Sequence, residues 1–127
     1  MHKTILVAIT DLLFYTKVKD ALRQTDFQIE KARAQQDILD KAASVSPRLI
    51  ILNMNDLTLD AFDALEQLKG DPRLNAIPTL AFANHEEVDT WNRAKVLGVT
   101  KIVSRNEFSA RTKGLVEELV TGPVASS

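Results

Sequence analysis

The chain has 127 residues, 45% of them hydrophobic and 26% charged, which suits one domain able to bury a core without metals or disulfides. Sixteen basic residues against seventeen acidic ones leave a net charge of −1, which argues against nucleic acid as the main partner, because neutralising phosphates requires a basic excess. Cysteine is absent, which removes disulfides, thiolate metal sites and cysteine nucleophiles.

The first apolar run, Ile5 to Ile9, reads as a strand, and Thr10 and Asp11 end it too early for a signal peptide. Leu13, Phe14, Val18, Ala21 and Leu22 have the spacing of a first helix with one covered face. Phe27 to Glu30 is a short second strand. Ala34, Ile38, Leu39 and Ala42 give a second helix that Ser46 and Pro47 end. Leu49, Ile50, Ile51 and Leu52 then form an uninterrupted aliphatic run, the pattern of a central parallel strand covered on both faces. Phe62, Leu65 and Leu68 mark a third helix stopped by Gly70, Asp71 and Pro72, and Pro78 introduces a fourth strand, Thr79 to Ala83. Val88, Trp91 and Leu97 belong to a fourth helix ended by Gly98, and Val99 to Val103 is a fifth strand. Ser104 with Glu107 resembles a capping box opening a last helix through Leu115, Val116, Leu119 and Val120.

Alternating strands and helices with right-handed crossovers predict an α/β three-layer sandwich, a flavodoxin-like parallel sheet of order 2-1-3-4-5 with five helices. Residues 1–120 are expected to form this domain, and 121–127, TGPVASS, a flexible tail or the start of a linker. No segment reaches membrane-spanning length, and the expectation is a cytoplasmic protein without membrane or nucleic-acid partners.

In open α/β sheets, ligands and chemistry gather at the carboxyl ends of the strands. There the third strand ends in Asn53, a neutral amide that is not a nucleophile toward phosphoryl groups and is a weak metal ligand. A nucleotide or flavin site would want a glycine-rich turn after the first strand, and AITDLLFYT contains no glycine.

The segment NMNDLTLDAFDALEQLKGDPRLNAIPTLAFANH resembles the middle of a two-component response-regulator receiver domain, with Asp60, Leu65, Leu68, Asp71, Pro72, Ile77 and Pro78 on the family pattern without a gap. More loosely the resemblance covers residues 3 to 120. It implies the fold described above and a role in signal transduction. It also implies a pocket whose usual groups are missing. Asn53 stands where receivers carry the phosphoaccepting aspartate, and Ile9 and Thr10 where the acidic pair helps hold magnesium. Ala83 replaces the hydroxyl residue, Arg105 and Asn106 replace the lysine and proline, and Ile102 takes the place of the aromatic switch residue.

The resemblance is therefore to a degenerate pseudo-receiver: a protein-interaction module independent of phosphorylation, not an enzyme, with no cofactor and no metal. The alternative is an unorthodox phosphoacceptor or small enzyme using Asp11 or Asp56 at the same edge. Asn53 can also be read as capping the turn that follows it. Arg105 either reaches Asp11 and closes the pocket or points into water. The expected docking side spans the fourth helix, fifth strand and fifth helix, where Arg93, Lys95, Lys101, Arg105, Arg111 and Lys113 surround Ile102 and face the single acid Glu107. Such a face would suit a protein with an acidic surface, and a homodimer is compatible with it because the third helix carries Asp60, Asp63 and Glu66.

Overall fold

The computed structural model describes residues 3–121. Five strands and five helices alternate: β1 (Lys3–Ala8), α1 (Leu12–Ala21), β2 (Phe27–Lys31), α2 (Gln35–Val45), β3 (Leu49–Asn53), α3 (Ala61–Gly70), β4 (Thr79–Ala83), α4 (Val88–Val96), β5 (Lys101–Ser104) and α5 (Arg105–Thr121). All strand pairs are parallel and the order is β2-β1-β3-β4-β5, the predicted flavodoxin-like arrangement. Of the expected tail, Thr121 is the last residue of α5, and 122–127 lie outside the described residues.

The aliphatic run of β3 divides by parity, as a strand with two covered faces requires. Leu49 and Ile51 pack with Ile5, Val7, Ile9, Leu80 and Phe82 against α1 and α5, through Phe14, Val18, Phe108, Leu115 and Val116. Ile50 and Leu52 pack with Leu6, Ala8 and Ala81 against α2, α3 and α4, through Ile38, Ala42, Leu65, Leu68 and Ala94. Each of these four β3 side chains is fully buried, and truncating one to alanine removes about 2–5 kcal/mol.

Beneath the carboxyl edge, Phe82 packs against both Phe14 and Phe108, at 4.8 Å and 4.4 Å between ring centroids, and these two rings meet each other at 6.4 Å, closing a three-ring cluster. Offset aromatic pairs of this kind add about 0.5–1.5 kcal/mol each beyond their buried area. The cluster ties α1 and α5 to the end of β4, and so fixes the floor on which the edge loops rest.

Local sequence explains where the helices end. Asp11 caps α1, its Oδ1 accepting from the N–H groups of Leu13 and Phe14. Gly98 closes α4 in a Schellman arrangement: with φ at 95°, its N–H donates to the Lys95 carbonyl while the Val99 N–H donates to that of Ala94. That closure uses the backbone of Val99, so β5 begins at Lys101 rather than at Val99 as expected from sequence. Ser104 Oγ accepts from the Glu107 N–H at 3.0 Å, but the Glu107 carboxylate turns to Arg111, so only half of the expected capping box forms. Leu13, expected on the covered face of α1, is 64% exposed.

Candidate functional site at the carboxyl edge of the sheet

Asn53 is buried at the end of β3, with 7% exposure. Its Oδ1 accepts from the Asn55 N–H at 2.9 Å, and its own carbonyl accepts from the Asp56 N–H at 3.1 Å, an Asx-type turn. The amide thus shapes the β3–α3 loop, which is the turn-capping role considered from sequence.

That loop is tied to both neighbouring loops by side chains. Asp56 Oδ2 accepts from the Thr10 N–H at 2.8 Å, and Oδ1 accepts from the Thr10 hydroxyl at 2.8 Å and from the N–H groups of Thr58 and Leu59, each at 2.9 Å. Burial pushes this carboxyl upward, but the backbone donors of Thr10, Leu59 and Thr58 and the Thr10 hydroxyl outweigh it and hold Asp56 below the ordinary carboxylate range. On the other side, Asn55 Nδ2 donates to Glu87 Oε1 at 2.7 Å while Asn55 Oδ1 accepts from the Asn84 N–H at 2.9 Å. Trp91 Nε1 donates to the Asn84 carbonyl at 3.0 Å, so its ring is half-buried helix packing with its polar atom satisfied. The Thr10–Asp56 and Asn55–Asn84–Glu87 links form a belt across the β1–α1, β3–α3 and β4–α4 loops.

The structure brings Thr10, Asp11, Asn53 and Asp56 to one small cleft of about 120 Å³, completed by Asn55 and Leu57. Ile9 and Ala83 are fully buried in the core beneath it and present no polar atom. Arg105 makes no bond to Asp11: it is exposed to solvent, as in the second of the two alternatives, with its guanidinium over the Phe14 ring at 5.1 Å, a cation–π contact. The receiver family's magnesium does not fit this donor set. The acids expected at Ile9 and Thr10 are absent, Asn53 Oδ1 holds a backbone N–H, and the Asp56 carboxylate already takes four donors. No group of three or more His, Cys, Asp or Glu side chains able to hold a metal occurs among the described residues.

The basic residues of the expected docking side have different surroundings. Lys101 pairs with Glu118 at 3.0 Å, and Arg111 pairs with Glu107 and lies 3.8 Å from Glu118. Glu118 lies just beyond the window in which Glu107 was the single acid, and it approaches Arg111 at a kink in α5, where the Arg111 backbone leaves the helical region with φ −129° and ψ 27°. Arg93 lies over Phe62 of α3 at 4.1 Å, Lys113 lines a groove with Lys17 and Asp20 of α1, Lys95 is exposed, and Ile102 is half-buried against the core. Sequence reasoning found Asp56 but missed Asn55, Asn84 and Glu87. The signal was the Asn-rich flanking of β3 and β4, NMN and AN, in a region where receivers resemble one another by their acids.

No protein family and no curated protein matches this chain. Solved structures do. The phosphorylated cyanobacterial phytochrome response regulator RcpA superposes with a TM-score of 0.82 at 20% identity, covering 94% of this chain and 95% of that one. The Mn(2+)-bound form of response regulator Rcp1 gives 0.78 at 19% identity over 91% and 92%. A signal receiver domain of a response regulator from Bermanella marisrubri gives 0.82 at 19% identity over 94% and 99%. The chain therefore has the flavodoxin-like fold of response-regulator receiver domains. Among the described residues, no helix is long and apolar enough to cross a membrane.

Proposed function

We propose that this protein is a signalling or protein-interaction module built on the receiver fold, one that works without phosphorylation and carries out no catalysis. The observation that carries the reading is the belt of hydrogen bonds through Asp56 and Asn55, which occupies with side chains the edge where a receiver would place metal and phosphoryl group. A receiver switches because a new ligand gives its loops a second arrangement to favour. Here the loops are already joined to one another, Asn53 offers no nucleophile, and Ala83 and Ile102 supply neither a hydroxyl nor an aromatic ring to move. What remains is a rigid surface for a protein partner, with the α4–β5–α5 side as its docking face. Arg93 and Lys95 on α4 leave that side open to an acidic partner surface, including that of a second copy.

Asp11 and Asp56 are the candidates for an unorthodox phosphoacceptor, and both are engaged: Asp11 caps α1 and Asp56 holds the belt. Incubation with radiolabelled phosphoramidate and magnesium tests the reading on the wild type and on Asn53→Asp. Neither protein should accumulate label, because one added carboxylate restores neither the acidic pair nor a free position at Asp56. Efficient labelling of Asn53→Asp would show that a working pocket survives, and labelling of the wild type would overturn the reading.

A further inference from the structure

The sheet order leaves one side of β2 without a neighbouring strand. Backbone groups of a strand point alternately to its two sides, and the Ala32 N–H donates to the Val7 carbonyl of β1 at 3.0 Å. Gln28 and Glu30 therefore turn their backbone groups to β1, as Ala32 does, while Phe27, Ile29 and Lys31 turn theirs outward. Two of these outward groups are held by side chains. The Phe27 N–H donates to Thr25 Oγ1 at 3.2 Å, and the Lys31 carbonyl accepts from Lys41 Nζ at 2.8 Å. The Phe27 carbonyl, the N–H and carbonyl of Ile29 and the Lys31 N–H have no hydrogen-bond partner among the described residues.

Proteins blunt exposed sheet edges with charged side chains and short strands. Here the caps stand at the two ends of the edge and leave its middle open. A parallel segment of three residues completes the open set. Its first residue donates to the Phe27 carbonyl and accepts from the Ile29 N–H; its third donates to the Ile29 carbonyl and accepts from the Lys31 N–H; its middle residue lies beside Ile29 with its backbone turned away. An antiparallel segment would pair fully with Ile29 but only half with Phe27 and Lys31, whose other groups are taken.

The side chains of Phe27, Ile29 and Lys31 lie on the α1 side of the sheet, where Lys3 stands over Phe27 at 5.7 Å and Lys31 and Lys19 over Tyr15 at 4.3 and 6.0 Å. This flank stays basic once its acids are counted. Asp20 pairs with Arg23, Asp26 with Lys3 and Glu30 with Lys41, and Asp37 holds the N–H groups of Arg33 and Ala34. Lys19, Lys31 and Arg33 have no carboxylate within ion-pair distance of their side chains among the described residues.

We propose that the β2 edge is a docking site at which a partner protein adds an extended acidic segment as a sixth, parallel strand. Backbone hydrogen bonds hold the segment and its side chains select it. The middle residue is apolar and packs beside half-buried Ile29. The residues two before and two after it point to the same side of the sheet and are acidic, meeting Lys3 at one end and Lys19 with Lys31 at the other. A second copy of this chain is disfavoured, because a two-fold β2-to-β2 pairing is antiparallel and brings the same bases together. The site is separate from the α4–β5–α5 side and stands or falls independently of the proposed loss of phosphorylation.

The probe is the end-capped peptide Glu-Thr-Val-Thr-Glu, titrated against the full chain and followed by amide NMR. Saturable shifts should centre on residues 26–31 and be largest at Ile29 and Lys31, whose N–H groups gain an acceptor. The counterpart Lys-Thr-Val-Thr-Lys should not bind. N-methylation of both threonines should abolish binding, whereas N-methylation of the valine should change Kd by less than about twofold, because only the threonine N–H groups face β2. These peptides test the ladder on the wild-type chain, whatever the variants do. Lys19→Glu with Lys31→Glu should raise Kd about tenfold or more and flatten its salt dependence. Arg73→Glu, a charge reversal at a side chain 73% exposed on the α3–β4 loop, should leave Kd unchanged.

Absence of saturable shifts would overturn the proposal, as would shifts confined to other surfaces, equal binding of the lysine peptide, or equal affinity in the double lysine variant. Loss of binding on methylating the valine but not the threonines would overturn the parallel ladder. A concentration-dependent dimer that shifts the Ile29 and Lys31 amides without peptide would make a second copy the occupant and equally overturn it.

Discussion

At the scale of single residues, Asp56 is the group on which the edge depends. Its carboxylate accepts from two groups of Thr10 and from the backbone of Thr58 and Leu59, and hydrogen bonds to a charged acceptor contribute more than neutral ones. Asp56→Asn keeps the shape but loses the charge and turns a donor toward Thr10, so it should lower unfolding stability by about 1–3 kcal/mol. The pH dependence follows from the depressed pKa. The unfolded carboxyl titrates near 3.8 and the folded one lower, so its stabilisation is fully present above that value and is lost as pH falls through the folded pKa. Asp71 is also depressed, through its hydrogen bonds with Arg73, so the informative quantity is the difference between wild type and Asp56→Asn. In urea titrations that difference should be constant near neutrality and shrink below about pH 4. A difference unchanged down to pH 2 would mean that the ionised carboxylate does not hold the loops.

At the scale of elements, the helix ends and the basic side each yield a test. Gly98 sits at φ 95°, where an L side chain is strained, while a Cβ at Gly114 inside α5 would meet nothing within 4 Å. Gly98→Ala should therefore destabilise by about 1 kcal/mol or more, and Gly114→Ala should stabilise by about 0.5–1 kcal/mol, both read from thermal or denaturant unfolding. The same sign for both would contradict the assigned backbone geometry. On α4, Arg93 and Lys95 have no carboxylate partner within ion-pair distance among the described residues, whereas Lys101 and Arg111 are neutralised by Glu107 and Glu118. Reversing Arg93 and Lys95 to glutamate should slow association with an acidic partner and flatten its salt dependence, and reversing Lys101 should do less. Identical association rates in surface plasmon resonance across a salt series would move the docking face elsewhere.

At the scale of the whole molecule, the fold was legible because both faces of the sheet must be covered. The LIIL run of β3 and the helical spacings of α2 and α3 each left one arrangement consistent with the rest. Leu13 was misplaced because periodicity registers an apolar residue in a helix's first turn as core-facing, although β1 has ended at Ala8 and the space nearby is filled by the Phe14–Phe82–Phe108 cluster. The candidate site was legible only in part. Sequence places Ile9, Thr10 and Asn53 where the family resemblance leads one to expect acids, but the Thr10–Asp56 and Asn55–Glu87 contacts join residues 46 and 32 positions apart, and such pairing exists only once the topology brings the loops together. The Phe14 contact of the exposed Arg105 went unseen for a related reason, since nothing local to it announces that Phe14 lies within reach.

The central claim is that side chains already hold the edge loops in place and leave no room for metal and phosphoryl group. Titration of magnesium with beryllofluoride against the amide NMR spectrum of the full chain tests it most directly. The account predicts no saturable shifts at Thr10, Asn53, Asn55, Asp56 and Ala83, and Asp56 and Thr10 signals that stay unchanged at saturating ligand. Saturable, magnesium-dependent shifts centred on those residues would contradict it, because they would require the Thr10–Asp56 bonds to open and admit the ion.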